Sequence, residues 1–413
     1  MATRQVIVVG AGAAGLLAAG EAARQGAGVT LLEKMKYPGR KLGITGKGRC
    51  NLTNEDSVEE FISHFGRNGR FLRQAFDRFF SHDLVELLGS LGVATAIEQG
   101  GRIFPVSERA LDVVEALAHF ARDAGVITRS NVRVTKLLVK ENRVVGVRTS
   151  EDLPADAVII ATGGLSYPAT GSTGDGYKLA EQVGHTVIPA RPSLVPVETS
   201  GDIAPRLQGL SLKNVTAKVL VDGKKRAEEF GEMLFTHFGL SGPIILRLSR
   251  GIVDALSDNR TVTVSIDLKP ALSESKLDAR LLRDIEEHGK QQFHTLLKGL
   301  LPAKLIPVCI DLTGIAPDKP ANQISAVERK RLLAWLKDFR FQVTSPRPWE
   351  EAIITAGGVS TKEIDPRTMA SRIIKGLYFA GEVIDIDGST GGYNLQAAFS
   401  TGWLAGHSAG RRS

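Results

Sequence analysis

Three groups of residues in this chain have the types and spacing to do chemistry. The first is Gly10-Ala11-Gly12-Ala13-Ala14-Gly15, which directly follows the apolar run Val6-Ile7-Val8-Val9; Glu33 closes the next apolar run, Val29-Thr30-Leu31-Leu32. Gly10 allows a tight turn, Gly12 lets a pyrophosphate approach the backbone, and Gly15 lets helix and strand pack closely. The amides and dipole of the helix N-terminus then face the phosphates. A carboxylate at Glu33 accepts hydrogen bonds from ribose hydroxyls and repels a 2′-phosphate, which predicts FAD or NAD rather than NADP. Strand, helix, strand and acid fall within the roughly 30-residue unit that gives this fingerprint its weight.

The second group lies near the other end of the chain. Gly376-Leu377-Tyr378-Phe379-Ala380-Gly381-Glu382 reads as a strand ending in an acid, and Gly391-Gly392-Tyr393-Asn394-Leu395 as the start of a helix. In glutathione-reductase-like flavoenzymes a strand-end acid meets the ribityl hydroxyls, the position expected for Glu382. The helix amides, here 391–395, hold negative charge at the pyrimidine edge of the reduced ring. Enzymes that use only NAD have no need of this element, so the expected cofactor becomes non-covalent FAD.

The third group is Gly43-Ile44-Thr45-Gly46-Lys47-Gly48-Arg49-Cys50-Asn51-Leu52-Thr53-Asn54. A backbone this permissive can lie against a planar ring, with Arg49 and Asn51 offering donors to flavin or substrate oxygens. With Tyr393 at the helix start and His237 as a proton donor, Arg49 and Asn51 make up the candidate catalytic set. The candidate cofactor contacts are Gly10, Gly12, Ala13, Ala14, Gly15, Glu33, Lys34, Lys41, Arg49, Cys50, Asn51, Val134, Ala161, Thr162, Gly163, Gly381, Glu382, Gly392, Tyr393, Asn394 and Leu395. Asp385 and Asp387 lack metal-site spacing, Asp175 reads as a cap, and no metal site is expected.

Positioning these groups requires a two-half dinucleotide fold. Helical spacing covers Phe71–Leu91 and Ala110–Ala124, and alternation covers Val132–Leu138 and Arg143–Arg148. Ala157–Gly164 then reads as a buried strand ending in Ala161-Thr162-Gly163-Gly164. From 191 to 271 the pattern is of antiparallel strands with a turn at Asp222-Gly223. Residues 272–345 read as mostly helical, returning at their end to the β insert. Buried-strand texture resumes at Glu351–Val359, so segments 1–190 and 346–413 make one discontinuous domain. Composition is that of a globular protein, 43% hydrophobic and 23% charged. No apolar run approaches the roughly 18 residues of a membrane helix. Cys50 and Cys309 are the only cysteines, which excludes a disulfide framework and predicts a reducing, cytoplasmic setting. The net charge of +7 comes without a long basic block, so a small-molecule substrate is expected and nucleic acid is not.

These motifs, with Gly101-Arg102-Ile103-Phe104-Pro105, Ala161-Thr162-Gly163-Gly164, Thr170–Gly176, Gly231–Pro243 and Thr390–Gln396, resemble over essentially the whole length the YhiN/BaiN-like NAD(P)/FAD-dependent oxidoreductases. Aminoacetone oxidase-like flavoproteins are among that family. The chain departs from its pattern at Ile44-Thr45. The resemblance implies a discontinuous FAD-binding Rossmann domain with an inserted antiparallel β-domain and a small helical subdomain. It also implies hydride or two-electron transfer through the flavin to a small organic substrate. With no second fingerprint in the chain, NAD(P)H as the other redox partner would visit the flavin face directly; O₂ is the alternative. A flavin-dependent RNA-modifying protein and a non-catalytic redox sensor stand as other readings.

Overall fold

A strand as uniformly β-branched and apolar as Val6-Ile7-Val8-Val9 is stable only with neighbours on both edges and cover on both faces. In the computed structural model, which describes residues 3–411, β1 (Gln5–Val9) is the centre of a five-stranded sheet. The other strands are β2 (Gly28–Glu33), β3 (Ile127–Ser130), β4 (Ala157–Ile160) and β5 (Leu377–Phe379). Their order is β5-β4-β1-β2-β3 and all pairings are parallel, with Val8 between Leu31 and Ile159. All five strands therefore end on the same side, where Gly10, Glu33, Ala161 and Gly381 emerge.

Helix α1 (Ala13–Arg24) is rich in Ala and Gly because it is buried on most sides. It packs against α2 (Tyr393–Gly410), whose Gly402 and Gly406 lie on the backbones of Ala14 and Ala18 with no room for a Cβ. The first and last parts of the chain thus form one unit, comprising residues through Pro192 and from Trp349 onward.

Two local expectations in this unit differ from the structure. The helical pattern over 71–91 is interrupted: Arg73–Phe76 and Ser81–Ser90 are separate helices. Phe80 between them is extended, its N–H capped by Asp83 Oδ2 at 2.7 Å. The first hairpin strand is Lys136–Lys140 rather than 132–138, paired with Arg143–Arg148.

The second unit, Ser193–Pro348, is a closed antiparallel barrel. Its strands run in the order Val197–Thr199, Gly239–Ser241, Lys224–Phe235, Ser211–Val221, Val262–Asp267 and Phe339–Pro346, the last closing on the first. Helix Pro243–Ser257, within the stretch expected to be strands, buries Ile244, Ile245, Leu248 and Ile252. Helices Glu274–Glu287, Leu305–Thr313 and Ala326–Lys337 add Leu277, Leu305 and Leu336 to the same core as Val219, Val264 and Phe341. The helical run is thus part of the barrel unit, and its end supplies a barrel strand.

Candidate functional site

The glycine turn after β1 shows what each position is for. Gly10 has φ +98°, and a Cβ there would sit 2.6 Å from the Ala161 carbonyl oxygen, so the turn passes directly over the end of β4. Gly15 lies against the Gly10 carbonyl with no space for a side chain. At Gly12 a Cβ would meet nothing within 4 Å. The helix it caps has no side-chain cap, so the first-turn amides around Ala13, Ala14 and Gly15 open onto that space.

Glu33 reaches back across this turn. Its Oε2 accepts from Ala11 N at 2.8 Å and its Oε1 from Met35 N at 2.8 Å. The acid therefore shapes the turn as well as standing at its edge. Beside it, Lys34 donates to Asp175 at 2.8 Å, and Arg133 donates to the same carboxylate at 2.7 Å. Burial raises the Asp175 pKa, but these two cations outweigh it and hold the group below the usual carboxylate range. Val134 is buried next to Arg133.

At the end of β5, Glu382 is held from three directions. Lys41 Nζ lies 2.6 Å from Oε2, while Ser166 Oγ and Thr355 N donate to Oε1 at 2.9 and 2.7 Å. Lys41 also reaches Ser166 at 2.6 Å. The α2 N-terminus is built by Asn394, which donates to the carbonyls of Gly388 and Ser389 and accepts from Gly388 N. The side chain of Asn394 is thereby committed to the loop ahead of its own helix. The Thr53 carbonyl occupies the space a Cβ at Gly392 would need, and Asn54 donates to the Gly391 carbonyl at 3.1 Å. The loop at 43–54 is thus brought to the helix start; Leu395 is half-buried one residue on.

Within that loop the candidates divide. Arg49 is paired with Glu98 and, at 2.9 Å, Glu108, and its guanidinium stacks 4.4 Å from the centroid of Phe104. Both carboxylates are held by Nη2 alone, while Nε is buried with no hydrogen-bond partner. Cys50 is fully buried, and burial pushes its thiol up to about 12 despite a hydrogen bond to Thr45. Asn51 Oδ1, like Arg49 Nε, is buried with no hydrogen-bond partner, and it is an acceptor rather than a donor.

Tyr393 donates to Asp56 Oδ2 at 2.6 Å and stacks on His64, with ring centroids 3.8 Å apart. Burial first, and then Asp56, pushes the phenol pKa up. Burial lowers that of His64 against the opposing pull of Asp56. Asp56 and His64 are absent from the sequence candidates; nothing local marks them, since their partner lies more than 300 positions away. Ser166 and Thr355 are absent from the candidates too; they lie 216 and 27 positions from Glu382 and meet it only in the fold. His237 lies in the barrel unit, exposed in the bend between Lys224–Phe235 and Gly239–Ser241, its ring edge-on to Phe238.

A dinucleotide fits this set. Alongside the open space at Gly12, five buried polar atoms have no hydrogen-bond partner: Arg49 Nε, Asn51 Oδ1 and Thr53 Oγ1 in the loop, Thr162 Oγ1 beyond β4, and the Tyr177 hydroxyl. Buried polar atoms are normally satisfied, so five orphans, three of them in one loop, point to a polar ligand. Among the described residues no group of carboxylates, histidines and cysteines could hold a metal ion, and no helix is long and apolar enough to cross a membrane.

Residues 4–408 match the family described as HI0933-like protein Rossmann domain. The chain is 34% identical over 409 residues to a 3-dehydro-bile acid delta(4,6)-reductase of Clostridium scindens, covering 98% of each chain. It is 35% identical over 413 residues to a ribosomal RNA dihydrouridine synthase of Haemophilus influenzae, again covering 98% of each. Among solved structures, a 3-ketosteroid-delta4-(5alpha)-dehydrogenase from Rhodococcus jostii shares the fold. It has a TM-score of 0.54 at 17% identity, over 99% of this chain and 97% of that one.

Proposed function

Because the chain belongs to the HI0933-like family and is a flavoprotein oxidoreductase, we propose that it is an FAD-dependent reductase of a carbon–carbon double bond conjugated to a carbonyl, acting on a uracil ring of RNA. The observation that carries this is the convergence of two relatives of nearly equal identity on one bond type. A delta(4,6)-reductase of a 3-dehydro bile acid saturates an alkene conjugated to a ring ketone. A dihydrouridine synthase saturates the C5=C6 bond conjugated to the uracil C4 carbonyl. Two substrates so different in shape share only that chemistry.

Bound FAD would supply two-electron chemistry, which amino-acid side chains lack. The chain's own residues do the rest. The amides at 12–15 and the α1 dipole receive the pyrophosphate, and Glu33 receives ribose hydroxyls. Glu382, its charge balanced by Lys41, lines the ribityl chain. The α2 N-terminus holds negative charge at the pyrimidine edge. Asn51 and Thr162 offer their unpaired oxygens to the ligand. A single dinucleotide fingerprint leaves NAD(P)H to reduce the flavin by visiting the same site.

The net charge of +7, although it comes without a long basic block, supports the RNA, because many phosphates on one chain gain more from a cationic surface than the single carboxylate of a bile acid does. The small unsaturated ketone is the second reading, supported by the bile-acid relative. One experiment separates them. Protein reduced anaerobically with NADH or NADPH is mixed with deproteinised ribosomal RNA from a strain lacking the gene, or with a 3-oxo-4-ene steroid. Flavin reoxidation is followed together with the mass of the product. Uridine gaining two hydrogens is the expected result; reoxidation by the steroid alone selects the second reading, and by neither overturns the bond type.

A further inference from the structure

The cations of this chain are mostly partnered where they meet in a sheet, with one exception. In the hairpin Lys136–Lys140/Arg143–Arg148, Lys140 stands opposite Arg143. Arg143 in turn is bridged in parallel to Lys375. The bridge is held by Val144 N donating to the Lys375 carbonyl and Lys375 N donating to the Asn142 carbonyl, each at 2.9 Å. Three like charges thus occupy adjacent pairing positions, an arrangement that is destabilising unless something anionic is present. All three side chains are exposed. Among the described residues no carboxylate pairs with any of them, and Glu141 at the turn stays exposed and unpaired. The opposite end of the same hairpin shows the usual solution, with Arg148 gripping Asp152 through two hydrogen bonds of 2.6 and 2.9 Å.

We propose that Lys140, Arg143 and Lys375 form a phosphate-binding patch that grips the RNA backbone away from the site of reduction. Lys375 lies just before β5, at the N-terminal edge of the parallel sheet, whereas the glycine turn, Glu33 and Glu382 lie at the C-terminal edge. Arg143 supplies a planar fork suited to phosphate oxygens, flanked by two lysine point charges. Such contacts fix the register of an RNA without reading its sequence, leaving base choice to the site. The inference rests on the RNA reading of the function and adds a surface to it.

The test compares two triple variants with equal loss of charge: Lys140→Gln/Arg143→Gln/Lys375→Gln, and Lys276→Gln/Lys290→Gln/Lys298→Gln on exposed positions of the barrel unit. Each flavin-loaded protein is titrated with deproteinised ribosomal RNA across a salt series, and with vesicles of phosphatidylcholine and phosphatidylserine. Flavin content and the rate of flavin reduction by NAD(P)H serve as checks on folding. The patch variant should bind RNA at least about tenfold more weakly near physiological salt, with a log–log salt slope shallower by about two to three. The control triple should stay within about twofold of wild type. Equal weakening of both variants, or loss of vesicle binding with RNA binding intact, overturns the patch while leaving the proposed reduction standing. No salt-dependent RNA binding by wild type overturns both the patch and the RNA substrate, but not the reduction of the steroid.

Discussion

Replacing Glu33 separates its two roles, because the structure assigns it bonds that exist without any ligand. Its carboxylate accepts from Ala11 N and Met35 N, both at 2.8 Å. Hydrogen bonds to a charged acceptor contribute about 1.5–3 kcal/mol each, and the half-buried position argues for the lower part of that range. Glu33→Ala should therefore destabilise the apoprotein by about 2–4 kcal/mol, seen as a lower Tm with flavin removed. Ribose contacts add a second effect of similar size per bond, so the Kd for FAD should rise about 10–100-fold. Glu33→Gln should fall between, since its amide oxygen still accepts from one N–H while its NH₂ opposes the other. The measurements are thermal unfolding of apoprotein and fluorescence titration with FAD. A lowered Tm with Kd within threefold of wild type would mean that the acid only shapes the turn. No change in either quantity would refute the reasoning about this turn altogether.

Three further substitutions or titrations test the same picture. Gly12→Val should leave the apoprotein Tm within about 1 °C, since a Cβ meets nothing within 4 Å at φ −81°, yet yield protein without flavin; a yellow variant would count against phosphates lying there. Both thiols are buried and pushed up to about 12, so a thiol reagent near pH 8 should label neither Cys50 nor Cys309 until denaturant is added. Fast labelling of either thiol in native protein would contradict the burial of that side chain. His185 is buried, 3.2 Å from Glu363 and 2.8 Å from Ser371, and burial lowers its pKa from 6.5 against the pull of Glu363. The unfolded chain then takes up the proton first, so stability is full above pH 6.5 and falls as pH drops toward the lowered folded value. His185→Gln should flatten that part of the Tm–pH curve without touching the carboxylate-driven loss at lower pH.

What could be seen in the sequence was chemistry concentrated in short stretches. The turn at Gly10 to Gly15 needs glycine at fixed spacing for reasons of close approach, and those reasons leave a local record. Helix Pro243–Ser257 left one too, a Gly-Pro start followed by Ile244, Ile245, Leu248 and Ile252 on one face, but strands on both sides obscured it. Arg49 shows the limit. In a Gly-rich loop it reads as a donor for a ligand, while the carboxylates that claim it, Glu98 and Glu108, return from some 50–60 positions away through the small sheet of Thr53–Asn54, Thr95–Glu98 and Arg102–Pro105. Pairing of that kind is set by tertiary packing and has no local signature. The same is true of Asp56 and His64 around Tyr393.

With the Nη2 of Arg49 held by Glu98 and Glu108, the carboxamide acceptor that the loop keeps for a ligand is Asn51 Oδ1, and this gives a prediction of opposite signs. Leaving a buried acceptor unsatisfied costs about 1–3 kcal/mol, and Asn51 Oδ1 is such an atom in the protein alone. Asn51→Leu keeps similar volume and removes the orphan, so the apoprotein should become more stable, by up to about 1–2 kcal/mol. If the atom exists to accept a hydrogen bond from cofactor or substrate, the same change should raise the Kd for FAD or the KM for the substrate about tenfold. A residue kept only for the shape of the loop would not move the two quantities in opposite directions. A carboxamide also suits a uracil ring, whose N3–H donor and C4 carbonyl acceptor lie side by side as a carboxamide's partners do; a guanidinium, already paired here, suits a carboxylate. Loss of uridine reduction with retention of steroid reduction in Asn51→Leu would place Asn51 on the base. Equal loss of both would place it on the flavin. An apoprotein that becomes less stable would refute the assignment of Asn51 as an unsatisfied acceptor.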